Sequence, residues 1–217
     1  MTDLREALIA HCRSLSACGL MKGSAGNLSV REGDGYLITP TGMACADLEA
    51  TDLVFTALGE NRAPEAANTR RPSSEWRMHA DIYRSRPEAG AIVHAHSPFA
   101  TSLACLRADI PAFHYMIARF GGATLRCAAY ATFGTPELSA AALLALRERK
   151  ACLLANHGML VFGSDLAEAL ALAIELETLC EHYWRARQLG EPALLDGAEM
   201  AIVLEKFASY GQQGDAP

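Results

Sequence analysis

The chain has 217 residues, 51% of them hydrophobic and 20% charged, with 19 Lys and Arg against 25 Asp and Glu. At the usual ~100–200 residues per domain this is one domain or a tight pair, and so much apolar material excludes a disordered chain. The formal charge of −6 speaks against a nucleic-acid binder, whose affinity comes largely from Lys and Arg on phosphates. No apolar run approaches the ~18 residues of a membrane span, and Met1-Thr2-Asp3-Leu4-Arg5-Glu6 lacks the basic-then-apolar layout of a signal peptide. The seven cysteines (12, 18, 45, 105, 127, 152 and 180) are odd in number and show no Cys-x-x-Cys spacing. They read as reduced thiols of a cytoplasmic protein.

The spacing of Leu4, Ala7, Leu8, His11, Cys12 and Leu15 predicts an amphipathic helix over 3–18, capped by Thr2 and stopped by Gly19. A loop of small residues follows, Lys22-Gly23-Ser24-Ala25-Gly26-Asn27. Strands are expected at 28–31, 36–39 and 53–58, the first two joined by the turn-rich Glu32-Gly33-Asp34-Gly35. Residues 61–72 read as polar and extended. Ser73 or Ser74 then caps a helix to about Ser85, closed by Pro87. A strand over 91–96, a helix after Pro98 and a helix from Thr135-Pro136-Glu137 to about Lys150 come next. Strands at 151–155 and 159–162, a long helix over 165–187, and a last helix to about Tyr210 complete the pattern. Strands and helices intermix along the whole length, as in one α/β or α+β layer domain.

Four motifs carry possible chemistry. In His94-Ala95-His96, residues two apart on a strand point to one face, so the imidazoles converge as metal ligands must. Alone, the pair is equally two ordinary strand-end histidines. Asn156-His157-Gly158 follows an apolar strand and alone fits a turn histidine better than a ligand. Together with His94 and His96 it supplies the third imidazole of a catalytic zinc site with one open position. His11, His79 and His182, each in a helix, read as packing or surface residues. Ser73-Ser74-Glu75 offers hydroxyls and free backbone amides at a helix start, an anion site by construction. By composition alone it is a cap with a dipole-friendly carboxylate; Glu75 becomes a ligand or general base only if it reaches a metal. The loops Ser24-Ala25-Gly26-Asn27 and Thr39-Pro40-Thr41-Gly42 can cradle a phosphate, although each alone reads as a plain turn. Neither matches a P-loop or a dinucleotide fingerprint.

Taken in order, Gly26-Asn27, Thr39-Pro40-Thr41-Gly42, Ser73-Ser74-Glu75, His94-Ala95-His96 and Asn156-His157-Gly158 resemble the class II aldolase/adducin family. The likeness continues through His114-Tyr115-Met116-Ile117-Ala118, Tyr130-Ala131-Thr132-Phe133-Gly134-Thr135 and Leu204-Glu205-Lys206-Phe207 with Tyr210, and so covers nearly the whole chain. It implies one domain over 1–217, an αβα sandwich of three layers around a central, mainly antiparallel sheet, and a homotetramer. It further implies Zn²⁺ on His94, His96, His157 and Glu75, with Glu75 leaving the metal to act as base. Ser24, Asn27, Thr41, Gly42, Ser73 and Ser74 would hold a substrate phosphate. Tyr115 of a neighbouring subunit would donate a proton, and Phe133 and Tyr210 would shape the aldehyde side. The implied reaction is retro-aldol cleavage of a ketose 1-phosphate through an enediolate. L-fuculose 1-phosphate is the first candidate and its five-carbon relatives stay open. Sister reactions on the same site are 4-epimerisation, decarboxylation and dehydration of sugar phosphates. A scaffold role, as in adducin, fits poorly with a chain that keeps all three histidines and Glu75. Arg119-Phe120 departs from the small residues expected after Ala118, near the interface or the aldehyde pocket.

Overall fold

Strict alternation along the central strands decides which helices lie on which face. The computed structural model describes residues 3–59 and 70–209. Seven strands form one sheet: β1 (Asn27–Glu32), β2 (Gly35–Ile38), β3 (Val54–Ala57), β4 (Ala91–Ala95), β5 (Cys127–Ala128), β6 (Ala151–Leu154) and β7 (Gly158–Gly163). Their spatial order is β3-β2-β1-β4-β7-β6-β5. Every pairing is antiparallel except β5 with β6.

Leu28, Val30, Val93, Leu153, Met159 and Val161 point to one side of this sheet. There they pack with α1 (Leu4–Ala17), α3 (Pro98–Ala104) and α5 (Leu166–Leu189), through Leu8, Leu15, Leu103, Leu172 and Leu176. Ile38, Ile92, Cys152, Leu160 and Phe162 point to the other side. That face packs with α2 (Trp76–Ser85) and α4 (Pro136–Ala145), through Met78, Ile82, Leu138 and Ala142. Each fully buried apolar side chain contributes about 1.5–3 kcal/mol, so the two-residue period fixes the sheet between two helical layers. The expected αβα sandwich with a mainly antiparallel sheet is the observed architecture. A further helix, α6 (Gly197–Ser209), packs Met200 against Ala112 and Ala118, beside a 3-10 turn at Tyr115–Phe120.

Several local expectations are corrected. Asp3 caps α1, accepting from the Arg5 amide, while the expected cap Thr2 lies outside the described residues, as do residues 61–69 and Tyr210. Ser73 and Ser74 are not the cap of α2: Glu75 occupies that position and its side chain makes no cap hydrogen bond. The Ser73 hydroxyl instead accepts from the Glu75 amide at 3.3 Å. The carboxylate is drawn to the imidazoles described below. α4 stops at Ala145, short of Lys150, and β4 ends at Ala95, so that His96 lies just past the strand. Cys12 and Cys45 form a disulfide, whereas all seven cysteines were expected to be reduced. A separation of 33 residues leaves no local spacing signature; the pair meets because α1 packs over the 3-10 turn at Cys45–Asp47.

Candidate metal and phosphate site

The site lies where β1, β4 and the β6–β7 turn meet the start of α2. Register sets Asn27 of β1 opposite His94 of β4, and His94 opposite Leu160 of β7. His157 sits in the turn between β6 and β7, its amide donating to the Leu154 carbonyl. Two glycines allow the backbones to come this close. A Cβ on Gly26, whose φ is +86°, would lie 2.7 Å from the His94 carbonyl oxygen. One on Gly158 would lie 2.5 Å from the Ala95 carbonyl and 3.0 Å from the His96 ring.

The three imidazoles form a nearly equilateral triangle, with ring centroids 4.7–4.9 Å apart. His94 Nε2 is 3.1 Å from His96 Nε2 and 3.0 Å from Glu75 Oε2, and His157 Nε2 is 3.4 Å from Glu75 Oε1. Four-coordinate zinc, with ligands at about 2.0–2.1 Å, sets tetrahedral ligand–ligand separations near ~3.4 Å. The three separations above are close to that value, and the three imidazole donors all lie within 4.8 Å of one another.

Hydrogen bonding shows what the cluster lacks. His94 Nδ1 faces the Met159 carbonyl at 2.9 Å, and a carbonyl only accepts, so Nδ1 carries the proton. In neutral His94 the Nε2 lone pair then faces a carboxylate oxygen, acceptor against acceptor. Buried Glu75 Oε1 has no hydrogen-bond partner among the described residues. Both defects disappear when a cation sits between these atoms. Without a metal, a proton fills the gap. Burial lowers the His94 pKa, but the adjacent Glu75 carboxylate outweighs burial and holds it above the ordinary value. Burial and the charge on His94 push His96 down, and push His157 down to about 4. For Glu75, burial raises the pKa, yet His94, His157 and the Asn27 amide hold it well below the usual carboxylate range.

Beside the cluster lies a cleft of about 360 Å³. One wall carries Ser24, Asn27, Thr41, Gly42, Ser73 and Ser74. Their loops are tied together: Thr41 N–H donates to the Arg71 carbonyl, Ser73 N–H to the Thr39 carbonyl, and Leu28 N–H to the Thr39 hydroxyl. The exposed residues Phe133, Tyr130 and Asn156 also line the cleft. Tyr130 and Asn156 stand inside motifs read from the sequence but were given no role of their own. Asn156 has a φ of +52° and accepts from Arg107 Nε, whose guanidinium lies over the Tyr130 ring. An Asn before His-Gly at a strand-to-strand turn is the signal that could have found it, since Asn tolerates positive φ.

Tyr115 does not join this cleft within its own chain. It lines another cavity of about 560 Å³ with Phe113, Leu195, Val203 and Phe207, over which its ring stacks. Phe120 is fully buried in the core and Arg119 pairs with Glu175, so neither enters the cleft.

Residues 6–184 match the family model described as class II aldolase and adducin N-terminal domain. The chain belongs to this family. It is 55% identical over 215 residues, covering 99% of this chain and 95% of the relative, to a 5-methylthioribulose-1-phosphate/5-deoxyribulose-1-phosphate aldolase of Rhodospirillum rubrum. It is 45% identical over 209 residues, covering 96% and 95%, to the L-fuculose phosphate aldolase of Escherichia coli K12. A solved L-fuculose 1-phosphate aldolase superposes with a TM-score of 0.89 at 40% identity, covering 96% of this chain and 97% of that one. The chain is thus a class II aldolase, a lyase of a family that works with a divalent metal. Among the described residues no helix is long and apolar enough to cross a membrane.

Proposed function

We propose that this aldolase cleaves a deoxyketose 1-phosphate into dihydroxyacetone phosphate and an aldehyde, acting as one unit over residues 1–217 in a cytoplasmic homotetramer. The observation that carries the reading is His94 Nε2 held 3.0 Å from the Glu75 carboxylate, with His96 and His157 beside it and a lining of hydroxyls and backbone amides next to them. His94, His96, His157 and Glu75 would hold the ion, and a set of three imidazoles and one carboxylate suits zinc. When bound, the cation supplies the Lewis acidity that lets the electrons of a breaking carbon–carbon bond settle on oxygen.

The chain's own residues do the rest. Ser24, Asn27, Thr41, Gly42, Ser73 and Ser74 grip the phosphate without a lysine or arginine. A grip remote from the breaking bond fixes the orientation of the reacting carbons. In the condensation direction the Glu75 carboxylate would take the proton from the carbon of dihydroxyacetone phosphate, and in cleavage it would pass a proton drawn from solvent back to that carbon. Tyr115 of a neighbouring subunit takes the proton of the hydroxyl that becomes the aldehyde. Its half-exposed ring, beside an apolar cavity, suits a residue offered across an interface. Phe133 and Tyr210 border the aldehyde.

Two chain lengths compete for the cleft. L-fuculose 1-phosphate is the six-carbon choice. A 5-deoxypentulose 1-phosphate, with or without a 5-methylthio group, is the five-carbon choice, and the higher identity to the five-carbon relative favours it. The deciding experiment measures kcat/KM for 5-deoxyribulose 1-phosphate, 5-methylthioribulose 1-phosphate and L-fuculose 1-phosphate with zinc-loaded protein. Dihydroxyacetone phosphate is trapped by a coupled reductase. A five-carbon substrate at least about tenfold ahead supports this reading. L-fuculose 1-phosphate ahead reverses the choice, and no dihydroxyacetone phosphate from any of them removes the proposal.

A further inference from the structure

Behind Glu75 runs a line of buried side chains of which the reaction outlined above uses only Asn27. The Tyr83 hydroxyl lies 2.8 Å from Ser29 Oγ, and Ser29 Oγ lies 2.7 Å from His79 Nδ1. His79 Nε2 lies 2.5 Å from Asn27 Oδ1, and Asn27 Nδ2 lies 3.0 Å from Glu75 Oε2. Ser29 and His79 are fully buried, and Asn27, Glu75 and Tyr83 nearly so. His79 follows Glu75 by four residues on the same face of α2, so the helix supplies both ends of a bracket with Asn27 of β1 between them.

The chain has a single polarity. An ionised carboxylate only accepts, so Asn27 turns its NH₂ to Glu75. Its carbonyl oxygen then faces His79 and needs a donor, which makes His79 Nε2 the protonated nitrogen. With burial pushing the His79 pKa down to about 3, the ring is neutral and Nδ1 is bare. Nδ1 accepts from the Ser29 hydroxyl, and Ser29 accepts from Tyr83. Turning the Asn27 amide over would set its oxygen against the carboxylate and its NH₂ against a ring N–H. Both errors are costly away from water. Core packing alone accounts for an aromatic ring at position 79. It does not account for a neutral imidazole of fixed tautomer joined at both nitrogens.

We propose that His79 is a positioning residue: through the Asn27 amide it holds the Glu75 carboxylate in register with His94 and His157. The inference rests on the metal-dependent aldolase reading and deepens it. Partners behind a ligand typically contribute 10–100-fold in metal affinity or activity.

The test compares two amide replacements of similar size. His79→Gln puts an N–H near the place of Nε2 and keeps the donor to Asn27. His79→Asn reaches only the place of Nδ1, so it keeps Ser29 and leaves the Asn27 oxygen unpaired. The Gln variant is expected within about fivefold of wild type in kcat and in Co²⁺ affinity measured by chelator competition. The Asn variant should fall roughly 10–100-fold in both, with KM for the phosphorylated ketose within about threefold. The metal-free Tm of the two should agree within a few degrees. Equal losses in both variants, tracking Tm, would overturn the proposal and leave His79 a packing residue. If neither variant folds, Ser29→Ala carries the test, because it frees Nδ1 and unlocks the tautomer. A several-fold loss of kcat at unchanged KM is then expected, and wild-type values overturn the idea. Co²⁺ affinity keeps the two readings apart: the Gln–Asn contrast in metal binding without aldolase turnover in wild type would sink the function and leave the positioning role standing.

Discussion

The buried inner lining of the cleft and its exposed outer lining are built on opposite principles. On the inner wall, His94 and Asn27 are held by strand pairing, and Glu75 is held between two imidazoles and an amide, all buried. On the outer wall, Tyr130 and Phe133 are 55% and 63% exposed. Tyr115, 50% exposed, faces a different cavity altogether. Rigid, over-determined groups suit the step shared by every substrate, whereas exposed rings on loops can change without disturbing the core. The difference fits a chain 55% identical to a relative named for five-carbon substrates and 45% identical to one named for L-fuculose phosphate.

The hardest blow to this contrast falls on the inner wall. His94→Ala should remove the ion and with it at least about 10³-fold of turnover, since the neighbouring Glu75 carboxylate then loses its nearest cationic partner as well. Metal content after dialysis and kcat check it together. A variant that stays fully loaded and active would show that the triangle is not the metal centre.

Tyr115→Phe tests whether an exposed ring from outside this chain's own cleft takes part in the chemistry. We expect kcat to fall by about 10²-fold, with phosphate binding nearly unchanged. Mixing this variant with Glu75→Gln under conditions of subunit exchange should restore part of the activity, because some hybrid sites carry both intact residues. No recovery in demonstrated hybrids would place Tyr115 in its own chain's site or outside the reaction.

How far the contrast was legible in the sequence follows the range of the forces involved. His94 and His96 were readable because a two-residue period is local. The three layers were expected only through the family resemblance, although the alternation in β4 and β7 that sorts the helices is local. Glu75 as helix cap was misjudged at Ser73 and Ser74, since only the folded chain brings imidazoles near enough to draw the carboxylate away from capping. Cys12 and Cys45 were misjudged for the same reason of distance. The four-residue step from Glu75 to His79 was in plain view, but its meaning depends on Asn27, 48 residues before Glu75 and brought there by β1–β4 pairing. β5, two residues long, has too little pattern to be seen.

The pH dependence of metal binding sharpens the description of the inner wall. In the metal-free protein His94 titrates above the ordinary histidine value, while His96 and His157 titrate below it. An entering ion therefore displaces one proton, not three, in the window between the lowered His96 value and the raised His94 value. Affinity should be level above the raised His94 value and fall about tenfold per pH unit below it. The fall should steepen below the ordinary histidine value as His96 gains a proton, and again toward pH 4, where His157 does too. Chelator competition from pH 5 to 9 measures the slope. A loss of about 10³-fold per unit near pH 6.5 would mean three ordinary histidines and no close carboxylate.

The smallest effect is expected from Phe133→Ala. The ring is mostly in water, so its removal forfeits little packing and leaves the phosphate loops untouched. What changes is the surface offered to the aldehyde. One apolar group in a pocket discriminates by roughly 10–200-fold at best, and an exposed ring less, so the ratio of kcat/KM for methylthioacetaldehyde to that for lactaldehyde should shift by no more than about tenfold. Measured in the condensation direction, KM for dihydroxyacetone phosphate should hold steady while this ratio moves. A rise in that KM with the ratio unchanged would assign Phe133 to the phosphate side, and the division of labour between the walls would fail at the residue where it is easiest to see.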